Sequence, residues 1–323
     1  MTPAFGLYTH IQSNRRRSVV LLGLLFSLVY LLTFAGVLIA TALHYQAPLP
    51  ELLDQALRDA VSISPIVTLG MISWVCVAWE FNTSFIAATV HAKGLERNES
   101  PELYAMVENL CISRGMSVPH LAIAEEAAPN AFASGVNDKQ YTITFTRGLI
   151  DLLTPAELEA VAAHELTHIR NGDVRMMMVA MIIAGVVTFV CELLLRVRWS
   201  LQGSRSSDNS KEKSGAAAAI AIALLAVAAA WALSLMIRLA LSRSREYLAD
   251  AGSVELTKNP DAMISALRKI SGKGEIEGAP SGVMEMCLDN PRSGFADLFS
   301  THPTIEDRID ALARYAGGRE ELA

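Results

Sequence analysis

The residues best able to do chemistry lie in one pentad, His164-Glu165-Leu166-Thr167-His168. Residues four apart share one face of an α-helix, so both imidazoles could reach the same metal ion. Zinc binds histidine nitrogens, and catalytic zinc sites keep one position open for water. Glu165 could take a proton from that water as the water attacks a carbonyl carbon. The alternative is a helix whose histidines and glutamate make ordinary hydrogen bonds, and the pentad favours zinc over it.

A second polar segment, residues 242–250, offers a candidate third ligand. Glu246 and Asp250 lie four residues apart, again on one face of a predicted helix. Glu246 could bind the metal, while Asp250 could accept the remaining ring N–H of a ligand histidine. Taken alone, the segment is more typical of an exposed helix end with i,i+4 ion pairs. The pentad upstream favours the metal role.

The pentad needs a helix to position it, and the flanking residues predict one. Thr154-Pro155-Ala156-Glu157 is typical of a helix start, with Thr as N-cap and Glu three residues on. Asn171-Gly172 predicts its end. Periodicity and turn residues predict further elements in the same stretch of chain: a helix over 101–114 and strands over 119–125 and 140–145, joined by a turn at 135–138. Downstream, helices are predicted over 242–253, 261–270 and from about 303 to 317.

Long apolar runs predict membrane helices. Two runs before the pentad, 18–43 and 60–79, carry no charge and are long enough to cross the ~30 Å core of a bilayer. A short polar segment, 44–59, connects them. Two more runs follow the pentad, 176–191 and 216–237, and whether this second pair fully spans the bilayer stays open. The triplet Arg15-Arg16-Arg17 predicts a cytoplasmic N-terminus, so two crossings return the chain to the cytoplasm near Glu80.

Composition narrows the classes of partner. A net charge of −6 argues against a nucleic-acid partner, because phosphate binding needs concentrated Lys and Arg. The four cysteines form no CxxC pair, so neither a disulfide framework nor a cysteine zinc site is predicted. The expected partners are polypeptides and the lipid bilayer.

The order of the motifs resembles that of the HtpX family of membrane-bound zinc metalloproteases, which is related to the CAAX prenyl proteases. The resemblance extends over nearly the whole chain. It rests on five groups of residues: Pro129-Asn130-Ala131-Phe132-Ala133; the pentad with Asn171-Gly172-Asp173; Ser242-Arg243 with Arg245-Glu246-Tyr247 and Ala249-Asp250; Ser300-Thr301-His302-Pro303; and Arg308.

The resemblance implies an α+β, mostly helical fold: a gluzincin-type zinc metallopeptidase domain with about four transmembrane or membrane-embedded helices. It divides the chain into an N-terminal transmembrane hairpin (1–91), a first protease part with the active-site helix (92–175), a second membrane hairpin (176–241), and a second protease part with the third ligand (242–323). It also implies a multi-pass protein of the bacterial cytoplasmic membrane, with its catalytic domain facing the cytoplasm.

The resemblance further implies one Zn²⁺ per chain and cleavage of misfolded or damaged membrane proteins and unfolded polypeptides. Asn130 and Ala131 should lie on or beside an edge strand that binds substrate as an added strand. His302 could donate to the oxyanion of the tetrahedral intermediate, the alternative being an exposed histidine at a helix start. Arg308 could anchor the carboxylate of Glu246 or Asp250.

Two other functions compete with this one. A site-specific processing protease of the prenyl-protein type would carry more membrane spans than the four runs seen. A catalytically silent, zinc-stabilised membrane scaffold would have no need of Glu165, because a structural zinc site closes all four positions. Residues 272–299 match no motif and could form a lid, a partner surface or a plain loop.

Overall fold

The computed structural model describes residues 7–178, 181, 185, 190–192, 213–279, 281–290 and 303–318. The chain divides into two compact units. Met1–Ala78 and Val179–Arg238 form the first, which we call the helical unit. Trp79–Met178 and Leu239–Ala323 form the second, which we call the sheet unit.

Among the described residues, the helical unit contains three helices that are long and apolar enough to cross a membrane. They are α1 (Leu7–His44), the first part of α2 (Leu49–Thr89) and the first part of α6 (Lys213–Thr257). The apolar windows are Ser27–His44, Leu49–Trp74 and Gly215–Ser234. Only 6% of the window in α2 is buried, and it exposes large apolar side chains such as Ile66 and Leu69, as expected of a surface in contact with lipid. The predicted run 176–191 lies largely outside the described residues.

Helix α2 begins earlier than its apolar run. The prediction that residues 44–59 connect the two helices is wrong for most of that range, because only residues 45–48 separate α1 from α2. Pro50 lies in the first turn, where its missing N–H has no intrahelical partner to lose. Glu51 lies beside it, and a carboxylate is stabilised at a helix N-terminus. The polar residues therefore start the second helix instead of separating the two.

In the part of the chain that the structure describes, the sheet unit is built on four short strands in the order β1-β2-β4-β3. These are β1 (Ala92–Gly94), β2 (His120–Ala124), β3 (Ala131–Ser134) and β4 (Thr142–Thr146). Strands β2 and β4 run parallel, and the outer strands pair antiparallel with them. Both strands predicted from alternation are present. The turn-based prediction missed β3, because all four of its residues are buried and the strand shows no alternation of polar and apolar residues.

The sheet unit also contains helices, and one of them, α5, carries the pentad. They are α3 (Pro101–Arg114), α4 (Arg147–Leu152), α5 (Pro155–Asn171), the end of α6, α7 (Pro260–Ile270), α8 (Ser281–Met284) and α9 (Ile305–Ala316). Helix α5 packs against α3, α7 and β3. Its predicted ends are confirmed. Thr154 and Glu157 form a capping box, and Gly172 ends the helix in the left-handed conformation, with φ +74°.

The helix predicted over 242–253 is the end of a longer one. Helix α6 runs without a break from Lys213 to Thr257. The residues between the apolar run and the polar segment, 238–241, are Arg, Leu, Ala and Leu, all strong helix formers, so nothing in the sequence stops the helix there.

Candidate metal centre

Helix α5 holds two histidine side chains in the interior of the sheet unit. His164 and His168 are 1% and 7% exposed, and their Nε2 atoms lie 3.1 Å apart. Glu246 on α6 places one carboxylate oxygen 3.6 Å from His164 Nε2 and the other 3.5 Å from His168 Nε2. One ligand atom from each of these three residues lies within 4.8 Å of the other two. The three side chains therefore converge on one point.

The outer nitrogen of each imidazole faces a carboxylate. His164 Nδ1 lies 2.9 Å from Asp250 Oδ1, and His168 Nδ1 lies 3.1 Å from Asp173 Oδ2. An ionised carboxylate only accepts hydrogen bonds, so the proton of each neutral imidazole belongs on Nδ1, the nitrogen that faces the carboxylate. Each Nε2 is then left with a lone pair.

This arrangement of lone pairs fits a bound cation. Two imidazole lone pairs and a carboxylate that converge in a buried site repel one another unless a positive charge lies between them. Two nitrogens on a tetrahedral zinc ion lie about 3.3 Å apart, close to the 3.1 Å between the two Nε2 atoms. The donor set of two nitrogens and one oxygen is also one that zinc accepts.

Arg308 on α9 holds the carboxylates of this cluster. Its guanidinium binds Asp250 through two hydrogen bonds, with Nε 2.8 Å from Oδ2 and Nη2 2.7 Å from Oδ1. Its Nη1 lies 3.4 Å from Glu246 Oε2. Sequence reasoning left open which of the two carboxylates Arg308 would contact, and the structure brings it to both.

Burial and charge shift the pKa of several groups in the cluster. Burial alone would lower the pKa of His164, but the adjacent carboxylates of Asp250 and Glu246 raise it to about 9, so a cation bound at Nε2 has to displace a proton. Burial would raise the pKa of Asp250, yet the adjacent Arg308 and His164 hold it below its usual value. The pKa of Glu165, which is also buried, is raised, and burial is the main cause. These shifts mark a tightly coupled group of charges.

The predicted substrate residues lie at the edge of the sheet. Ala131 is the first residue of β3, the strand at one end of the sheet order, and Asn130 precedes it. Both are buried. Asn130 is fixed on one side by β4, because its backbone exchanges hydrogen bonds with the Thr146 hydroxyl. His302, the predicted oxyanion donor, lies outside the described residues.

Two residues of the cluster were named among the motifs but were assigned no role from the sequence. Asp173 accepts from His168, and Arg245 Nε lies 3.5 Å from the other oxygen of Asp173. On a straight helix Asp173 would project away from His168, but the left-handed turn at Gly172 folds the chain back. An acidic residue directly after the Gly of a helix end was the available signal.

Comparisons with known proteins show the family to which the chain belongs. Residues 97–316 match the family described as Peptidase family M48. The chain is 37% identical over 320 residues to a protein of Bacteroides fragilis (strain YCH46) named "Protease HtpX homolog", covering 96% of this chain and 99% of that protein. It is 32% identical over 311 residues to a protein of the same name from Lactobacillus helveticus (strain DPC 4571), covering 95% and 99%.

One solved structure, titled "Crystal Structure of S. mikatae Ste24p", is also similar. It has a TM-score of 0.43 and 19% identity and covers 76% of this chain and 56% of that one.

Fold, candidate membrane helices and family match together define the class as an α+β membrane metallopeptidase. The chain belongs to peptidase family M48 and, within it, to the HtpX-like membrane proteases.

Proposed function

We propose that this protease is a zinc-dependent endopeptidase whose ion is held by His164, His168 and Glu246. One observation carries the proposal. The Nδ1 atoms of two buried imidazoles lie 2.9 and 3.1 Å from carboxylate oxygens, while their Nε2 atoms lie about 3.5 Å from a third carboxylate. One Zn²⁺ per chain satisfies all three donors.

When bound, zinc supplies a water of lowered pKa and a Lewis acid that polarises the peptide carbonyl. Glu165 is the general base. Its carboxylate accepts a proton from the attacking water and then delivers that proton to the amide nitrogen that leaves. Asp250 and Arg308 hold His164 in place throughout. His302 is proposed, on the family resemblance, to donate to the oxyanion.

The proposed substrates are unfolded polypeptides and misfolded or damaged membrane proteins. Strand β3 lies at the edge of its sheet, and an extended peptide can add to such an edge through backbone hydrogen bonds. Asn130 and Ala131 would contact that peptide. Recognition through the backbone gives broad sequence specificity, which suits protein quality control.

We place the protein in the bacterial cytoplasmic membrane with its protease part facing the cytoplasm. The Arg15-Arg16-Arg17 triplet before the first apolar run and the two crossings that follow support this orientation. The division into hairpins over 1–91 and 176–241 and protease parts over 92–175 and 242–323 belongs to the same proposal.

Substrate class can be tested with protein purified in detergent. Casein, an unfolded membrane protein and a prenylated peptide are compared at equal concentration, with zinc content measured in parallel. We expect cleavage of the first two by protein that carries about one zinc per chain. Cleavage of the prenylated peptide alone would identify a processing protease. Zinc-loaded protein that cleaves none of the three would contradict the proposal.

A further inference from the structure

Each ligand histidine contacts a carboxylate, and that carboxylate in turn contacts the guanidinium of an arginine. For His164 these are Asp250 and Arg308. For His168 they are Asp173 and Arg245, both buried, and the two oxygens of Asp173 divide between them. Arg245 also donates to the sulfur of Met176, 3.2 Å away.

We infer that Asp173 and Arg245 are positioning residues for His168. Asp173 fixes the tautomer that leaves the Nε2 lone pair directed at the ion, and Arg245 holds the Asp173 carboxylate in place. Partners of this kind, when mutated, typically weaken metal affinity about 10–100-fold. The competing interpretation is structural: Asp173 begins the helical residues 173–178, where a carboxylate stabilises the helix N-terminus. This inference rests on the proposed zinc site.

The test measures zinc affinity of the full-length protein in detergent by competition with a chromophoric chelator. We expect Asp173→Ala to bind zinc about 10–100-fold more weakly, and Arg245→Gln to lose less. The double variant should bind no more weakly than Asp173→Ala, because Arg245 acts through Asp173. The absorption bands of bound Co²⁺ should shift in the same variants. Asp151→Ala, an exposed aspartate on α4, is the matched control and should bind as wild type.

Wild-type zinc affinity in Asp173→Ala, with only its thermal midpoint lowered, would overturn the inference. If Asp173→Ala does not fold, Asp173→Asn replaces it. Asp173→Asn keeps a hydrogen-bond acceptor but loses the negative charge. Wild-type zinc affinity in this variant would also overturn the inference. A wild-type protein that binds no zinc would instead refute the proposed function.

A separate set of contacts covers the edge of the sheet. We call residues 286–289 the edge segment, and its last two residues lie against the start of β3. Leu288 N–H donates to Ala131 O at 3.0 Å, and Asp289 N–H donates to Asn130 Oδ1 at 3.2 Å. Asn130 Nδ2 donates back to Asp289 O at 2.6 Å.

The edge segment also reaches the metal cluster. Leu288 O accepts from Arg308 Nη1 at 3.0 Å, the same guanidinium that binds Asp250. The neighbouring Cys287 is fully buried, and burial together with the nearby Glu165 and Asp289 carboxylates raises the pKa of its thiol. Asp289 anchors the segment through Gly274, whose N–H lies 3.1 Å from Oδ2. The segment thus uses the polar atoms of Asn130 and Ala131 that a bound peptide would need.

On these contacts we infer that the edge segment holds the place of a substrate strand and must leave before a peptide binds. The protease is then latent in this conformation, and an unfolded polypeptide opens it by competing for the edge of β3. This inference rests on the proposed substrate site at Asn130 and Ala131.

Cys287 supplies the readout, because it lies in the edge segment, is fully buried, and should become accessible to a thiol reagent when the segment leaves. A chain with Cys287 as its sole cysteine, carrying Glu165→Gln so that bound casein is not cut, is labelled with a thiol reagent. We expect casein to increase the labelling rate several-fold. The matched control keeps only Cys111, which is equally buried but lies on α3, and its rate should not change. Asp289→Ala should speed labelling of Cys287 without casein.

Casein binding is verified by co-elution. If casein binds but Cys287 is labelled at the same rate with and without it, this inference is overturned and the proposed function is not. Absence of any casein binding would refute the proposed function, and the inference with it.

Discussion

The guanidinium of Arg308 donates hydrogen bonds to both carboxylate oxygens of Asp250, at 2.7 and 2.8 Å, and each residue is no more than 2% exposed. Asp250 in turn faces His164, so a side chain on α9 fixes a ligand on α5 through a carboxylate on α6. Three helices distant in sequence thus meet in one ion-pair network.

This network predicts that removing the positive charge of Arg308 greatly lowers the stability of the fold. Arg308→Ala leaves Asp250 buried and uncompensated, which should destabilise the sheet unit by about 3–5 kcal/mol. Arg308→Lys keeps the positive charge but cannot make both hydrogen bonds to Asp250, so it should lower the stability by a smaller amount. Denaturant unfolding in detergent measures both. Arg314→Ala, an exposed arginine on the same helix, is the control. Equal stability of Arg308→Ala and wild type would show that the network contributes nothing.

Glu157 predicts how stability depends on pH. Burial raises its pKa, but hydrogen bonds from Lys269, Ser265 and Thr154 outweigh burial and lower the pKa to about 2. An unfolded glutamate titrates near pH ~4.3. A lowered pKa stabilises the fold above that pH, and the contribution is lost as the pH falls from about 4.5 towards 2.

Glu157→Gln should therefore lower the free energy of unfolding by about 2–3 kcal/mol at pH 7. The difference from wild type should shrink as the pH falls through that window. Glu159→Gln on the same helix serves as the control. A difference that stays constant from pH 7 to pH 3 would contradict the assigned pKa.

Close packing of α6 on α5 predicts a steric effect at Gly252. A Cβ built there would lie 2.3 Å from Cγ2 of Thr167, the residue before His168. Gly252→Ala should lower stability by about 1–3 kcal/mol, because the buried Thr167 has to move. Adding Thr167→Ala removes the clashing atoms and should recover much of the loss. Thermal midpoints of the two single variants and the double variant form the test. If the changes in thermal midpoint of the two single variants simply add in the double variant, the contact between Gly252 and Thr167 is ruled out.

Much of the site was readable from the sequence because its geometry is local. Spacing placed His164 and His168 on one face, and the capping box with Gly172 fixed the limits of their helix. What was missed depends on tertiary structure. Strand β3 has no alternating pattern because both of its faces are buried. Asp173 reaches His168 only through a left-handed turn, and the contacts of residues 286–289 with β3 leave no periodic mark.

The measurement that tests the central claim most directly compares wild type with Glu165→Gln, purified side by side in detergent. Zinc content and casein cleavage are determined for each. We expect about one zinc per chain in both proteins and cleavage only by wild type, because the substitution removes the base and leaves the three ligands intact. Near-normal cleavage by Glu165→Gln would contradict the assigned role of Glu165 and require another base.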